Sequence, residues 1–220
     1  MESDKTFFEK VFSAKRMERY FNLYPGDPDR AILHYRCNLQ LAEAFYTSLS
    51  VLEVTLRNAL GRELETMTGR PDWYAVFPTT PGLSKLNHYI TQANKQIAGR
   101  HESITPSKVT AELTLGFWVS LLNSEYERLL WKDLRRAFPY IPKSQRQRKN
   151  VSSPLNQFRM FRNRVFHNES ICWNLSRVEN IHEEMVKMMG WINKDVPAWL
   201  QQTDRFVEVC KQIRNTMGWE

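Results

Sequence analysis

The chain has 220 residues, 42% of them hydrophobic and 12% aromatic, so it can bury a sizeable core without disulfide staples and is too apolar to stay disordered. No apolar run approaches the roughly 18 residues of a membrane span, which leaves no membrane role. The formal net charge of +7 turns attention to polyanionic partners.

The N-terminal M-E-S-D-K-T is charged and lacks the apolar core of a signal peptide. Asp4 and Ser13 are suited to cap two short helices that end near Tyr24. P-G-D-P, Pro25 to Pro28, makes a turn. From Asp29 to about Met67 no proline occurs. Ala42, Phe45, Leu49, Leu52, Leu56 and Leu60 recur at helical spacing. This predicts one long helix of roughly 60 Å, stopped by Gly69 and Pro71. The aromatic patch Trp73, Tyr74 and Phe77 and a loop over Thr79–Gly82 follow.

Ser84 opens a helix to about Ala98. Thr105 with Pro106 is a cap followed by proline at the first helical position. Two helical pieces run on to Asn123 with Gly116 as their joint, and Ser124 caps the next, which Pro139 and Pro142 end. Residues Lys143–Ser153 are polar and basic, either a loop or a first helical stretch. Pro154 is tolerated at a helix start or a kink, and helix runs on to about His167. Further helices cover Leu175–Met189, Val196–Gln201 and Asp204–Arg214. Nothing alternates as a strand would, so the fold class is all-α. The chain reads as one domain over 1–220: short helices in 1–25, a core in 26–170 and a C-terminal helical extension in 171–220.

Charge and cysteine narrow the chemistry. Between Arg128 and Arg164 eleven lysines and arginines face one acid, Asp133, so the rest of the chain is net negative. A basic region on a near-neutral body is either a polyanion footprint or a solvated surface. Cys37, Cys172 and Cys210 are scattered, and no C-x-x-C pair exists. Neither a zinc site nor a disulfide framework follows, and the setting reads as reducing and cytoplasmic. No Walker loop, G-x-S-x-G or H-E-x-x-H pattern occurs, so neither a metal nor a nucleotide cofactor is indicated.

The segment F-R-N-R-V-F-H-N-E-S, Phe161 to Ser170, carries the sharpest signal. On a helical wheel Phe158, Phe161 and Val165 form a core stripe. Asn163 and His167, four apart, share one flank. Arg162 lies near the other, about 140° from His167. Arg159 and Arg164 add charge beside them, and Arg146, Arg148 and Lys149 extend it. The same R-x4-H spacing recurs at Arg177 and His182, in an acidic segment without basic surround, and is expected on a surface helix. On the long helix Glu53 and Arg57 are spaced to pair. With Tyr46 they form either a second wall of a cleft or a core-edge contact. Tyr46, Trp118 and Trp131 either stack on bases or fill the core.

R-N-R-V-F-H resembles the R-[polar]-x3-H motif of HEPN domains, all-helical ribonucleases and RNA-binding domains. L-E-V-T-L-R-N-A-L, G-F-W-V-S-L-L, Y-E-R-L-L-W and M-G-W-I-N-K-D-V-P-A-W-L resemble the Abi-like branch, associated with bacterial abortive-infection defence. The likeness runs from about Phe12 to Phe206. It departs at H-N-E-S-I, where Ser170 stands in place of a helix-stopping proline. The resemblance implies an endoribonuclease with Arg162, Asn163 and His167 as motif residues, acting as a homodimer on RNA without metal. Histidine moves protons near neutral pH and arginine grips phosphate oxygens. Two other readings stay open. One is a non-catalytic RNA-binding module. The other is a protein-interaction subunit of a defence system or of a toxin held by an antitoxin or non-coding RNA.

Overall fold

The computed structural model describes residues 4–219, and among these there is no β-strand. The N-terminal pair is α1 (Asp4–Phe12) and α2 (Ala14–Leu23). Ser13 caps α2, its hydroxyl accepting from the Arg16 amide at 3.3 Å. Asp4 stands inside the first turn of α1, where its charge favours the helix N-terminus, and so is not the cap expected of it.

The long helix is α3 (Pro28–Thr68), 41 residues capped by Asp27 and closed by Gly69 in the left-handed region at φ 69°. Leu41, Phe45, Leu49, Leu52, Leu56, Leu60 and Leu64 are buried along it. Each such side chain contributes about 1.5–3 kcal/mol on full burial. Ala42, expected in that row, is only half-buried.

Helices α4 (Asn87–Gly99), α5 (Pro106–Glu112) and α6 (Leu115–Ser120) follow. Thr105 caps α5 with Pro106 in the first turn. The break before α6 falls at Leu113 and Thr114, both in extended backbone, and not at Gly116, which lies inside α6. The stretch from Ser124 to Ala137, expected as one capped helix, is a chain of short pieces. A 3₁₀ turn is followed by a π-helical turn over Glu127–Trp131, then α7 (Lys132–Leu134) and another 3₁₀ turn. No side-chain cap forms at its start. The π turn keeps Leu130 and Leu134 buried while Leu129 faces out.

Helix α8 (Arg148–Phe166) begins well before Pro154, which sits inside it. Proline there removes a hydrogen bond. Arg148 strengthens the affected first turns, donating to Leu122 O at 2.9 Å, Ser152 Oγ at 2.8 Å and Glu127 at 3.0 Å. The chain ends in α9 (Leu175–Ile192), α10 (Val196–Leu200) and α11 (Phe206–Met217).

These last helices share the main core with α3. Phe45 of α3 meets Phe161 of α8 at 4.7 Å and Phe206 of α11 at 4.6 Å between ring centres. A second aromatic knot holds Trp73 against Phe117 and Trp118, so Trp118 is core and not a base-stacking platform. A smaller cluster of Met17, Tyr20, Phe21, Ala31, Ile32 and Tyr35 seats α2 on the start of α3. Among the described residues no helix is long and apolar enough to cross a membrane.

Candidate functional site

Helix α8 buries Phe158, Phe161 and Val165 as its periodicity predicts, which fixes its rotation on the core. Its end is set by backbone geometry. His167 occupies the cap and Asn168 takes the left-handed region at φ 51°. Asn168 N–H donates to Val165 O at 3.1 Å and Glu169 N–H to Arg164 O at 2.9 Å. This pair of bonds is a Schellman stop, and asparagine is the non-glycine residue that most often takes that position. The helix therefore stops without a proline at 170. His167 is left exposed at the helix end.

His167 lines a groove of about 400 Å³ with Lys15, Arg16, Arg19, Arg164, Asn168 and Glu169. Four basic residues thus line the same groove as one imidazole. Arg16 donates to Asn168 O at 2.9 Å. The Arg19 guanidinium lies 4.1 Å from the Trp173 ring centre. Arg164 donates to Glu169 at 3.1 Å and to Ser170 O at 2.7 Å, so part of its charge is spent on closing the loop. Lys15 carries no ion pair among the described residues.

Two buried polar residues of α3 pin that loop, and sequence reasoning missed both. Asn38 accepts from the amides of Ile171 at 2.7 Å and Cys172 at 3.0 Å, and donates to Glu169 O at 3.3 Å. His34 bonds Cys172 O through Nε2 at 2.6 Å. A carbonyl only accepts, so Nε2 carries the proton and Nδ1 accepts from the Tyr24 hydroxyl at 3.3 Å. The ring is enclosed by Tyr20, Tyr24, Trp173 and Trp219. Burial lowers the His34 pKa, the Cys172 carbonyl opposes that, and the Arg19 charge lowers it further. The signal available was a polar pair, His34 and Asn38, one turn apart in an apolar helix. The basic wall of α2 was likewise legible only as K-R-M-E-R, Lys15 to Arg19.

Arg162 belongs to the opposite flank. Its guanidinium sits 4.3 Å from the Phe166 ring centre and 3.9 Å from the Glu53 carboxylate. Glu53 also accepts from the Leu115 amide at 3.1 Å, holding the first turn of α6. The expected Glu53–Arg57 pair does not form. Arg57 donates instead to Ala111 O and Asn58, each at 3.4 Å, because Glu53 is drawn to the unpaired amide of α6. Tyr46 is exposed, 6.1 Å from Phe166, in a shallow groove with Leu39, Ala42 and Val165. Asn163 is exposed on the His167 flank. The fold thus brings Glu53, Arg162, Phe166 and Tyr46 together, and separately His167, Arg164 and the α2 basics. Arg162 does not line the groove that holds His167.

The remaining basic residues divide as well. Arg148 is mostly buried and bonded within the fold, so it is not the free surface charge its position suggested. Arg146 is exposed but tied to Ile141 O and Pro139 O. Lys149 is exposed, and Arg159 is half-buried against α6 beside Gly116. His182, expected on a surface, is buried: it bonds Asp204 at 2.6 Å and stacks on Phe206 at 4.2 Å. The core position follows from the period of Val178, His182, Met185 and Met189, which carries it inward. Among the described residues no group of three His, Cys, Asp or Glu side chains is placed to hold a metal ion.

No family model, curated protein or solved structure matches this chain.

Proposed function

We propose that the protein is a metal-independent endoribonuclease of the Abi-like, HEPN type, acting on RNA in a bacterial defence system and working as a homodimer in the cytoplasm. One observation carries the reading: an exposed imidazole at a fixed helix end, inside a groove of about 400 Å³ lined by Lys15, Arg16, Arg19 and Arg164. In the reaction His167 accepts the proton of a ribose 2′-OH. The oxygen attacks the adjacent phosphorus, the 5′-oxygen leaves, and a second proton carrier supplies its hydrogen. Arginine and lysine side chains stabilise the charge that builds on phosphorus. One chain offers one such histidine, and a two-fold dimer offers two. Dimer formation on the Tyr46–Phe166 side would bring Arg162 of a second copy to the first α8, near Asn168, which borders both grooves. Incubation of the purified protein with RNA in EDTA tests the reading. Cutting that leaves 2′,3′-cyclic phosphate and 5′-hydroxyl ends is expected, and cutting that needs metal and leaves 5′-phosphates would overturn it.

A second reading has its own observation. Arg164 and Arg16 are bonded within the loop, and Arg162 lies across α8 from His167. A non-catalytic RNA-binding module needs no more than that. It would bind RNA in the same assay and cut none.

A further inference from the structure

The segment that leads into α8 holds a second basic site, away from His167 at the far end of that helix. A cavity of about 470 Å³ is lined by Arg135, Arg136 and Arg146 around Trp131 and Pro139. Its lining lies in residues 131–146, before α8 begins, whereas His167 closes the far end of that 19-residue helix. The two grooves share no lining residue.

The chemistry of this cavity is specific in kind. Arg146 is held in place by carbonyl bonds from Nε to Ile141 O at 3.1 Å and from Nη2 to Pro139 O at 3.2 Å. Two of its five N–H groups are used, and the rest are free for an anion. Arg135 is exposed with no ion pair among the described residues, and Arg136 meets only Asp133, at 3.4 Å. Three guanidinium groups against one carboxylate favour a phosphate over a carboxylate-poor neutral ligand. Trp131 is half-buried against the core, which holds its indole in place while part of it stays open to the cavity. A fixed indole beside arginines is the pairing that receives a planar base and its phosphate together. Trp131 and Arg135, four residues apart across α7, lie on one side of the chain.

We infer that this cavity is a nucleotide site, taking a base against Trp131 and a phosphate on Arg135, Arg136 and Arg146. The nucleotide is either free or one unit of an RNA strand. The inference stands apart from RNA cutting and survives if that activity is absent.

The test is binding to the full-length His167→Ala protein, so that no probe is consumed. AMP, inorganic phosphate and a short single-stranded RNA are titrated by calorimetry. AMP or RNA binding is expected. It should weaken about tenfold or more in Arg135→Gln/Arg136→Gln, whose side chains are exposed and whose loss leaves the fold intact. Trp131→Leu should weaken it about 5- to 100-fold, with inorganic phosphate unaffected. Saturable AMP binding identifies a free-nucleotide site, and RNA binding without AMP binding, weakened in Arg135→Gln/Arg136→Gln, identifies a strand-holding site. Failure of both to bind overturns the inference. So does affinity unchanged in Arg135→Gln/Arg136→Gln, or phosphate binding as tightly as AMP.

Discussion

His34 shows how a single buried side chain governs the region that carries His167. Its neutral ring joins Tyr24 to the carbonyl of Cys172, and burial keeps its pKa below the ordinary value of about 6.5. Above pH 6.5 the ring is neutral in both the folded and the unfolded chain, and its contribution to stability is complete. Below that, the unfolded chain takes up the proton first, and stability falls as the pH drops through the lower folded-state value. Thermal unfolding followed from pH 7.5 to 5 is expected to show this loss, and His34→Gln to flatten it at a lower overall Tm. A variant with the wild-type pH profile would remove His34 as the cause. Cys172 and Cys210 sit in the same buried surroundings, their thiols pushed up to about 12 by burial, so they are inert packing groups at neutral pH. His182 belongs to the same class of structural histidine. His182→Ala leaves the Asp204 carboxylate, only 8% exposed, without its partner and is expected to lower Tm clearly. An unchanged melting curve would contradict the buried contact.

Among the elements, α8 and the loop behind it decide where the motif residues lie. The periodicity of Phe158, Phe161 and Val165 was legible because it answers to one stripe on one helix. The long helix α3 was legible for the same reason, and Gly69 and Thr105 were legible as its stop and as the cap of α5, whereas Asp27, read only as part of a turn, caps α3. What the sequence did not disclose was long-range. Asn38 meets residues more than 130 positions away, and Arg16 reaches Asn168 across 152. Glu53 chose the amide of Leu115 over Arg57, four residues along. Local spacing ranks local partners and has no access to such choices. Pro154 inside α8 is the same lesson, since the bonds of Arg148 to Leu122 and Glu127 offset a defect that local rules place at a helix end. Asn38→Ala would orphan the buried amides of Ile171 and Cys172, each worth about 1–3 kcal/mol. It should therefore lower Tm and release the loop after His167. Hydrogen exchange at residues 169–172 checks it, and protection equal to wild type would sink the assignment.

In the molecule as a whole, Arg162 and His167 lie on opposite flanks of α8 and one chain holds one motif histidine, so the proposed cutting calls for a second copy. Tyr46 is 60% and Phe166 46% exposed, and together with Leu39 they leave an apolar patch beside Arg162. The proposed homodimer would place its two-fold contact there, beside Asn168, which borders both this patch and the histidine groove. Light scattering should give twice the chain mass of 26.1 kDa, and Tyr46→Arg should return the protein to a monomer and lower cutting. A wild-type monomer at micromolar concentration would count against the shared cleft.

The measurement closest to the proposed chemistry is the single-turnover rate of RNA cutting in EDTA for wild type and His167→Ala, at equal Tm. His167 is exposed and makes only its backbone contacts, so the variant should fold normally. Removing a proton-transfer group is expected to slow cutting about 10²–10⁴-fold while RNA affinity stays, because Lys15, Arg16, Arg19 and Arg164 remain in the groove. A folded His167→Ala protein that cuts at the wild-type rate would contradict the account.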